Sequence, residues 1–415
     1  MKPNNSVTPS RGKPLYPLPV ELLRDLSLSA VVAGLVAALV SYAGPFAVVL
    51  EATRAAGLDP ALSSSWIWAI ALASGISGTL LSVFTRMPIL VAWSTPGAAI
   101  LIASIGGFTF SDAVGAFLFS SLAATVLGIT GWFGRLLTII PAPIMTALLA
   151  GVLLPFVSQG AAVFESSPLV AGVVVVAFLV GKRWADRFAV VIALVSGIGA
   201  VAVTGGFRAV DLTVSITQPV ITIPTFNPLA ILAIGVPLLL VTMASQNAPG
   251  LTALTIAGYA PNDRLLVGGV SLVSSIFTVF GGHATNLAAI TAAICAGPEA
   301  HPDPRRRYIA GIVCGIANVT VALFSSTIVS LFSAVPPGLI TILAAVALLG
   351  SLLGALTVAV SGSLEISFAA LITLVVTASG VTLLGIGSAF WALVAGIVVW
   401  LALRKWQPAD GVRTR

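Results

Sequence analysis

The chain has 415 residues, of which 58% are hydrophobic and 8% charged, and its mean hydropathy is +1.12. A soluble domain carries roughly 25% charged residues, so this composition excludes a soluble globular protein and predicts a polytopic membrane protein. The net charge of +6 is explained by lysine and arginine in the loops of a membrane chain, and nucleic-acid binding is not expected.

Both ends of the chain predict tails outside the bilayer. Residues 1–24 are polar, proline-rich and basic, and they lead into a full-length apolar segment without a small-residue cleavage site. This pattern indicates a retained cytoplasmic tail and not a signal peptide. The basic residues 405–415 predict a second cytoplasmic tail.

Apolar segments separated by charged residues, glycine or proline predict about fourteen crossings or part-crossings. In the first half they are residues 25–50, 64–84, 94–107, 111–133, 141–159, 168–181 and 188–204. In the second half they are residues 228–257, 265–280, 285–297, 308–330, 337–359, 364–384 and 388–404. A hydrocarbon core of ~30 Å needs about 20 helical residues, so 94–107 and 285–297 are predicted to be half-helices that begin at mid-depth. Residues 205–227 predict an extracellular, β-like loop that joins the halves.

Basic residues concentrate at alternate ends of the predicted segments. With the N-terminus inside, the cytoplasmic ends carry Arg86, Arg135, Lys182, Arg183, Arg187, Arg264, 305–307, Arg404 and Lys405. The outer ends carry only Arg54 and Arg208. This asymmetry satisfies the positive-inside rule and predicts that both termini are cytoplasmic.

Three pairs of similar segments relate the two halves of the chain. Thr95 aligns with Thr285 at an offset of 190 residues, and SYAGP at 41–45 aligns with SQNAP at 245–249 at an offset of 204. PAPIMTALLAGVLL at 141–154 aligns with PPGLITILAAVALL at 336–349 at an offset of 195. These offsets imply two units of about seven spans, residues 25–204 and 228–404. Because seven is odd, the second unit must enter from the opposite side, which predicts an all-α fold with a 7+7 inverted repeat.

Three longer stretches carry a family resemblance: RMPILVAWSTPGAA, MASQNAPGLTALTIAGY and FGGHATNLAAITAAICAGPEAHPDPRRRYIAG. They resemble the signature stretches of the benzoate:proton symporter family (BenE type), and the similarity runs through nearly the whole chain apart from the tails. That family is related in fold to the nucleobase-ascorbate transporters, such as the uracil permease. The resemblance implies proton-coupled import of benzoate across a bacterial-type inner membrane, by a homodimer.

The resemblance also implies a division into two domains. A core domain comprises residues 25–133 and 228–330, and a gate domain comprises residues 141–204 and 337–404. Short antiparallel strands, at about Ile89–Trp93 and Thr278–Gly282, are implied before the half-helices.

The N-termini of the two predicted half-helices form the candidate binding site. Each carries unpaired N–H groups and a partial positive charge, so an anion between them gains up to ~2 kcal/mol per helix end. Ser94, Thr95 and Thr285 either hold a carboxylate or cap the helices, and both roles are compatible. The other residues placed at this site are Trp93, Pro96, Gly97, Gly281, Gly282 and Asn286.

Polar residues beside the mid-span prolines Pro45 and Pro249 are further candidates. Proline removes a helical hydrogen bond, so polar groups must compensate nearby. Tyr42, Gln246 and Asn247 therefore either line the site or lock neighbouring helices together. In nucleobase transporters an acidic residue in span 8 contacts the substrate; its replacement here by Gln246 and Asn247 favours a substrate that is already negative.

Proton coupling has two candidate residues. Moving one negative charge inward costs ~2.3 kcal/mol per 100 mV, so uptake of a carboxylate needs an accompanying proton. His283 is predicted near mid-depth and titrates in the right range, but it alternatively bonds the neighbouring strand. Glu365, near the start of the segment 364–384, is the second candidate relay. If His283 carries the proton, His283→Gln should flatten the pH dependence of accumulation.

Three classes of function remain open: a symporter of an aromatic carboxylate, a carrier of another small anion or a nucleobase on the same fold, and a membrane receptor or enzyme. A nucleobase carrier would be expected to show the acid in span 8. The chain shows no paired catalytic carboxylates, metal-ligand spacing or nucleotide motif, so no enzyme activity, metal or cofactor is expected. Cys295 and Cys314 lie in apolar sequence and predict packed thiols.

Overall fold

The computed structural model describes residues 19–43, 45–208, 214–288, 290–384 and 388–403. Most of the predicted N-terminal tail, and all of the predicted C-terminal tail with Arg404, lie outside these ranges. The described part is mostly helical, with one two-stranded sheet.

Helices in the first half commonly begin at proline, whose fixed φ suits the first helical position and whose missing N–H costs nothing there. The elements are α1 (Pro19–Asp25), α2 (Leu28–Ala43), α3 (Pro45–Ala55), α4 (Pro60–Thr85), β1 (Val91–Trp93), α5 (Thr95–Ser104), α6 (Phe110–Thr130), α7 (Trp132–Ile139), α8 (Ala142–Ser166), α9 (Pro168–Trp184) and α10 (Ala189–Thr204). A 3₁₀ turn, Ile105–Gly107, follows α5.

The second half repeats this order of elements. They are α11 (Pro228–Ala230), α12 (Val236–Thr242), α13 (Ala248–Ile256), α14 (Asp263–Phe277), β2 (Thr285–Leu287), α15 (Ile290–Ala296), α16 (Tyr308–Leu323), α17 (Ser325–Ser333), α18 (Pro337–Ala359), α19 (Leu364–Ala378) and α20 (Ser388–Leu403). Two π-helical segments, Ile231–Gly235 and Met243–Asn247, join α11, α12 and α13 into one long helix. Pro237 and Pro249 each follow such a segment, because a wider turn accommodates the hydrogen bond that proline cannot make.

Eight helices of the described residues are long and apolar enough to cross a membrane. They are Leu28–Ala55, Pro60–Thr85, Phe110–Thr130, Ala142–Ser166, Pro228–Ile256, Asp263–Phe280, Pro304–Leu323 and Pro337–Ala359. Four shorter apolar helices are Thr95–Gly107, Ala189–Thr204, Leu364–Ala378 and Ser388–Leu403. The predicted apolar segments coincide with helices to within several residues.

Helices from the two halves pack in pairs: α4 against α16, α6 against α14, and α8 against α18. Glycine permits the closest approaches. A Cβ on Gly75 would lie 2.7 Å from the Gly315 carbonyl oxygen, and a Cβ on Gly128 would lie 2.4 Å from the Gly268 nitrogen. Small residues at such crossings allow helix backbones to pack tightly in a membrane.

The connection between the halves differs from its prediction, because its described residues 205–208 and 214–227 contain no strand. Its N–H groups bond to the ends of helices and turns instead. Thr217 donates to the Leu323 carbonyl (2.8 Å), Thr222 to the Val279 carbonyl (2.7 Å) and Thr225 to the Ser111 carbonyl (3.1 Å). The extended sequence therefore satisfies its backbone across helix ends rather than in a sheet.

The two strands pair antiparallel, with Val91 opposite Leu287, Ala92 opposite Asn286 and Trp93 opposite Thr285. The expectation of short antiparallel strands is confirmed, and the first lies where it was predicted. The second does not: residues 278–280 form a 3₁₀ turn, and β2 starts at Thr285.

The second half-helix was therefore placed too early, since α15 is assigned from Ile290 and not from Thr285. Thr285 starts β2 as Val91 starts β1, so the offset between the units is 194 residues and not 190. The error of four residues is close to one helical turn of 3.6 residues. A shift of one helical turn preserves the apolar periodicity, so the incorrect alignment also matches apolar residues with apolar residues.

Candidate functional site

A cavity of about 1040 Å³ lies between the strand pair and helices α9, α10 and α18. Its inner end is lined by Trp93, Thr95, Gln246, Ala288 and Thr291. Its far wall is largely apolar, and its exposed end carries Lys182, Trp184, Asp186 and Glu299. Apolar walls with a few polar groups at one end are typical of sites for small molecules.

The start of α5 is built by Ser94 and Thr95. Ser94 is fully buried, and its Oγ accepts hydrogen bonds from the Gly97 N–H (3.0 Å) and from the Thr242 hydroxyl (2.9 Å). Ser94 therefore caps α5, which is one of its two predicted roles. Thr95, the first residue of α5, lines the cavity. The cap and the cavity contact fall on neighbouring residues.

Pro96 and Gly97 form the first turn of α5 behind Thr95. A Cβ on Gly97 would lie 2.5 Å from Leu238 Cδ1 and 2.7 Å from Ser94 Oγ. The absent side chain therefore lets the start of α5 pack directly against α12.

Thr285 does not cap a helix, which corrects its predicted role. It lies in β2, its N–H donates to Ser274 Oγ (3.1 Å), and its own Oγ1 is buried without a partner among the described residues. It faces a small pocket with Ser120, Ser271 and Ser274 and is not among the residues that line the large cavity. Its place at the cavity is taken by Ala288 and Thr291.

The remaining residues predicted at the second break hold the strand in place. Asn286 is fully buried. With its amide assigned from its neighbours, its side-chain oxygen accepts from the Ser94 N–H (3.0 Å), which also donates to the Ala284 carbonyl (3.0 Å), and its nitrogen donates to the Leu287 carbonyl (3.0 Å). Gly281 has a φ of +96° in the turn after α14, and Gly282 is the next residue. These glycines precede β2 rather than a helix, so they form the turn and not a break.

Sequence reasoning missed Ala288 and Thr291 as cavity residues. The signal that would have identified them was the offset of 195 residues found for 141–154 and 336–349. Near that offset, Ser94 corresponds to Ala288 and not to Ala284. The polar character of Thr285 was misleading, because a hydroxyl in apolar sequence suggests a ligand contact or a cap.

The two alternatives for the polar residues of the long helix both occur, one on each residue. Gln246 lines the cavity. Asn247 is buried and ties the helix to the sheet, since its Oδ1 accepts from the Leu287 N–H (3.0 Å). Tyr42 packs against Trp93 with ring centroids 4.9 Å apart and the rings tilted by 59°, so it supports the aromatic wall of the cavity.

His283 is fully buried beneath the strand pair, with both ring nitrogens engaged. Trp66 Nε1 donates to Nδ1 (2.9 Å), and Nε2 lies 3.0 Å from the Ser94 carbonyl oxygen. An indole N–H can only donate, so Nδ1 accepts and Nε2 carries the proton of a neutral imidazole. A second proton would have to displace Trp66. This geometry favours the alternative in which the histidine bonds the neighbouring strand, and proton carriage stays a hypothesis.

The second proton-relay candidate and the two cysteines are not among the residues that line the large cavity. Glu365 is half-buried in the first turn of α19 and is not among the cavity-lining residues. Cys295 and Cys314 are buried free thiols, as predicted. In the part of the chain that the structure describes, no group of three His, Cys, Asp or Glu residues is placed to hold a metal ion.

Membrane-crossing helices arranged around a cavity with a polar inner end define a membrane transporter. The sequence model of the family described as BenE, benzoate membrane transport protein, matches residues 24–402. The chain therefore belongs to the BenE family. It is a multi-pass membrane transporter and not an enzyme.

Two relatives support this assignment. The chain is 40% identical over 371 residues to the inner membrane protein YdcO of Escherichia coli, which covers 89% of this chain and 95% of that protein. It is 33% identical over 387 residues to the benzoate membrane transport protein of Acinetobacter baylyi, covering 92% of this chain and 97% of the relative. Together with the apolar helices, these relatives indicate a multi-pass inner membrane protein.

Solved structures with the same fold include two kinds of anion transporter. The transmembrane domain of the cyanobacterial bicarbonate transporter BicA has a TM-score of 0.59 at 12% identity, covering 92% of this chain and 99% of that chain. The overall structure of SLC26A9 has a TM-score of 0.61 at 12% identity, and the match covers 92% of this chain and 67% of that chain. At this identity the likeness is one of fold alone. The expected relationship to nucleobase-ascorbate transporters stays a prediction.

Proposed function

We propose that the protein imports an aromatic monocarboxylate such as benzoate by alternating access. The cavity carries this proposal. Its inner end offers the Thr95 hydroxyl, the Gln246 amide and the Thr291 hydroxyl beside the N-terminus of α5, while Trp93 and the apolar walls suit an aromatic ring. The relative named as a benzoate transport protein supports the same substrate class.

The electrostatics of the cavity favour an anion. The N-terminus of α5 contributes partial positive charge, and the acids that line the described cavity, Asp186 and Glu299, are exposed residues away from Thr95. A carboxylate at the inner end therefore meets hydrogen-bond donors and no facing acid. We place the substrate carboxylate toward Thr95 and its ring against Trp93.

The order of elements supports a 7+7 inverted repeat with both termini cytoplasmic. Each half contains a long first helix, a second helix, a strand with a short helix, and five further helices in the same sequence. In this topology the exposed end of the cavity, with Lys182 and Trp184, faces the cytoplasm. The structure then corresponds to an inward-open state.

The proposed core and gate domains meet at the cavity. Trp93 and Gln246 belong to the core, whereas Phe178 and Val346 belong to the gate, and all four line the same space. Rocking of the core against the gate would expose this space alternately to each side, as in other transporters built from repeats. We extend the proposal to a homodimer through the gate domain, by analogy with relatives of this fold.

Proton symport is the coupling we propose, because inward movement of a carboxylate against the membrane potential costs ~2.3 kcal/mol per 100 mV. The hydrogen bonds of His283 favour a structural role for that residue. The proton then travels on Glu365, on the substrate or through water in the cavity.

Uptake into proteoliposomes tests the proposal. Labelled benzoate should accumulate in response to an inward proton gradient, faster than in protein-free liposomes, which control for diffusion of the neutral acid. A protonophore should abolish the accumulation. Uptake no faster than in protein-free liposomes would contradict the proposal.

A second candidate is a different small anion, favoured by the likeness of fold to BicA and SLC26A9. Competition separates the candidates. Excess bicarbonate or chloride should leave benzoate uptake unchanged if the aromatic ring contributes to binding. Strong inhibition by either inorganic anion would favour the second candidate.

A further inference from the structure

A second cavity, of about 490 Å³, lies at the other end of α10 from the large cavity. Its walls are apolar and include Leu194 and Ile198 of α10, Ile340 and Leu343 of α18, and Phe332 of α17. Arg208 is its one charged residue among those described. Its volume falls within the range of about 300–1,000 Å³ that is common for small-molecule sites.

The two cavities follow one another along the same pair of helices. On α10, Ala189 and Val190 line the large cavity, whereas Leu194 and Ile198 line the second. On α18 the order is reversed, as expected for an opposite chain direction: Leu343 lines the second cavity and Val346 the large one. On each helix, about one helical turn separates the residues that line one cavity from those that line the other. The two cavities therefore lie next to one another along the α10–α18 pair.

Four aromatic rings form a chain of contacts that joins the linings of the two cavities. Trp93 lines the large cavity, and its ring centroid lies 4.9 Å from that of Tyr42. The Tyr42 and Phe46 centroids are 5.9 Å apart, and the centroid of Phe46 lies 4.9 Å from that of Phe332, which lines the second cavity. Tyr42 Oη and Trp93 Nε1 are buried without partners among the described residues. Buried donors normally find partners, so this packing leaves two donors available when the rings separate.

Arg208 is positioned at the second cavity by its backbone. Its N–H donates to the Ala334 carbonyl oxygen (2.9 Å), which ties residue 208 to the segment after α17. Its side chain is exposed, and among the described residues it forms no ion pair. A guanidinium presents donors in a planar arrangement that matches a carboxylate.

We propose that the second cavity is an outer-side subsite for the same aromatic carboxylate, held by Arg208, and that the four rings are the closed barrier between this subsite and the large cavity. The proposal rests on the function proposed above. The charge of Arg208 complements the carboxylate, and the apolar walls with Phe332 accommodate the ring. Tyr42 and Trp93 then offer donors to the carboxylate as it passes inward.

Kinetics with one substitution and a matched control test the role of Arg208. Arg208→Gln should raise the apparent KM for external benzoate by about 2- to 5-fold, the loss expected for an exposed charge-assisted contact. The maximal rate should stay within about two-fold, because the inner site is unchanged. Arg54→Gln removes the other arginine of the predicted outer ends, which pairs with Glu51 at 2.9 Å, and should leave KM unchanged.

Cysteine labelling tests occupancy directly. Both native cysteines are buried, so a thiol introduced by Ile198→Cys should be the reactive one toward a membrane-impermeant maleimide added outside. Benzoate should slow its labelling, and adding Arg208→Gln should remove this protection. Val203→Cys, on the same helix, 85% exposed and outside the cavity lining, should be labelled at the same rate with or without benzoate.

The outcomes are distinguishable. If the parent transports benzoate but Arg208→Gln has the parental KM and benzoate gives no protection at position 198, the subsite is wrong and the proposed function stands. If reconstitution into vesicles rich in anionic lipid slows labelling at position 198 and benzoate does not, the cavity binds a lipid headgroup and the proposal is overturned. A parent without benzoate uptake would overturn both.

Discussion

The two strand–helix units that meet at the centre of the protein share a backbone plan but not a side-chain chemistry. In the first unit, the buried Ser94 caps α5 and Thr95 reaches the cavity. In the second unit, Ala288 stands at the position corresponding to Ser94 and offers no hydroxyl. The first unit therefore caps its helix with a residue of its own, whereas the backbone of the second is held by side chains outside it.

Support for the second unit comes from neighbouring elements. Asn247 holds the Leu287 N–H, Ser274 holds the Thr285 N–H, and Arg307 binds the end of α15. The two units thus have similar backbones but are held in place by different contacts. Both units line the cavity, the first with Trp93 and Thr95 and the second with Ala288 and Thr291, but only the second is held by neighbouring elements in this way. The predictions below test this division.

The largest effect is expected at Arg307, which is 7% exposed and donates to the carbonyls of Ala296 (2.6 Å) and His301 (2.7 Å). It places a positive charge at the C-terminus of α15, where the helix dipole favours it. Hydrogen bonds to a charged group contribute about 1.5–3 kcal/mol each, so Arg307→Gln should destabilise the protein by about 3 kcal/mol or more. Thermal unfolding in detergent measures this loss.

The neighbouring Arg305 provides the control, because it is exposed and lies two residues away. Arg305→Gln should change stability by no more than about 0.5 kcal/mol. Equal unfolding temperatures for the two variants would show that α15 does not depend on Arg307.

The next effect separates two adjacent residues of the long helix. Asn247→Leu leaves the buried Leu287 N–H without its acceptor, at a cost of about 1–3 kcal/mol. Gln246→Leu should instead preserve the unfolding temperature and weaken benzoate binding, because Gln246 lines the cavity. Thermal unfolding and binding, measured on both variants, should give opposite patterns. If both variants changed stability and binding in the same way, Asn247 and Gln246 would not have separate roles in holding the sheet and lining the cavity.

Sequence alone was sufficient to locate the apolar helices to within several residues, and the family resemblance predicted that two short antiparallel strands exist. The position of the second strand was not predictable from the local pattern, because a shift of one helical turn leaves the apolar face unchanged. Nor could the sequence separate the roles of Gln246 and Asn247, because both carry an amide and the direction of each side chain is set by the fold. The partner of His283 is Trp66, 217 residues away in the chain, and local sequence contains no signal of that contact.

A smaller effect is expected within the first unit. Ser94→Ala removes the cap on α5 and the acceptor of the Thr242 hydroxyl, and caps contribute typically ~1 kcal/mol. Thr95→Val keeps the shape of the side chain but removes the hydroxyl that lines the cavity. We expect lower thermal stability for Ser94→Ala, and a raised apparent KM with parental stability for Thr95→Val. A raised KM in Ser94→Ala without any loss of stability would assign Ser94 to the ligand.

The smallest effect is expected for His283→Gln. The histidine accepts from Trp66 Nε1 and faces the Ser94 carbonyl, and glutamine carries one acceptor and one donor that can serve the same two partners. We therefore expect a stability change within about 1 kcal/mol and a pH dependence of uptake like that of the parent.

His283→Leu, which rebuilds neither bond, should lose more stability and provides the matched control. His301→Gln in the exposed loop should behave as the parent in both measurements. A flattened pH profile in His283→Gln, with stability retained, would instead assign the coupled proton to this histidine, and the Trp66 bond would then have to break in each transport cycle.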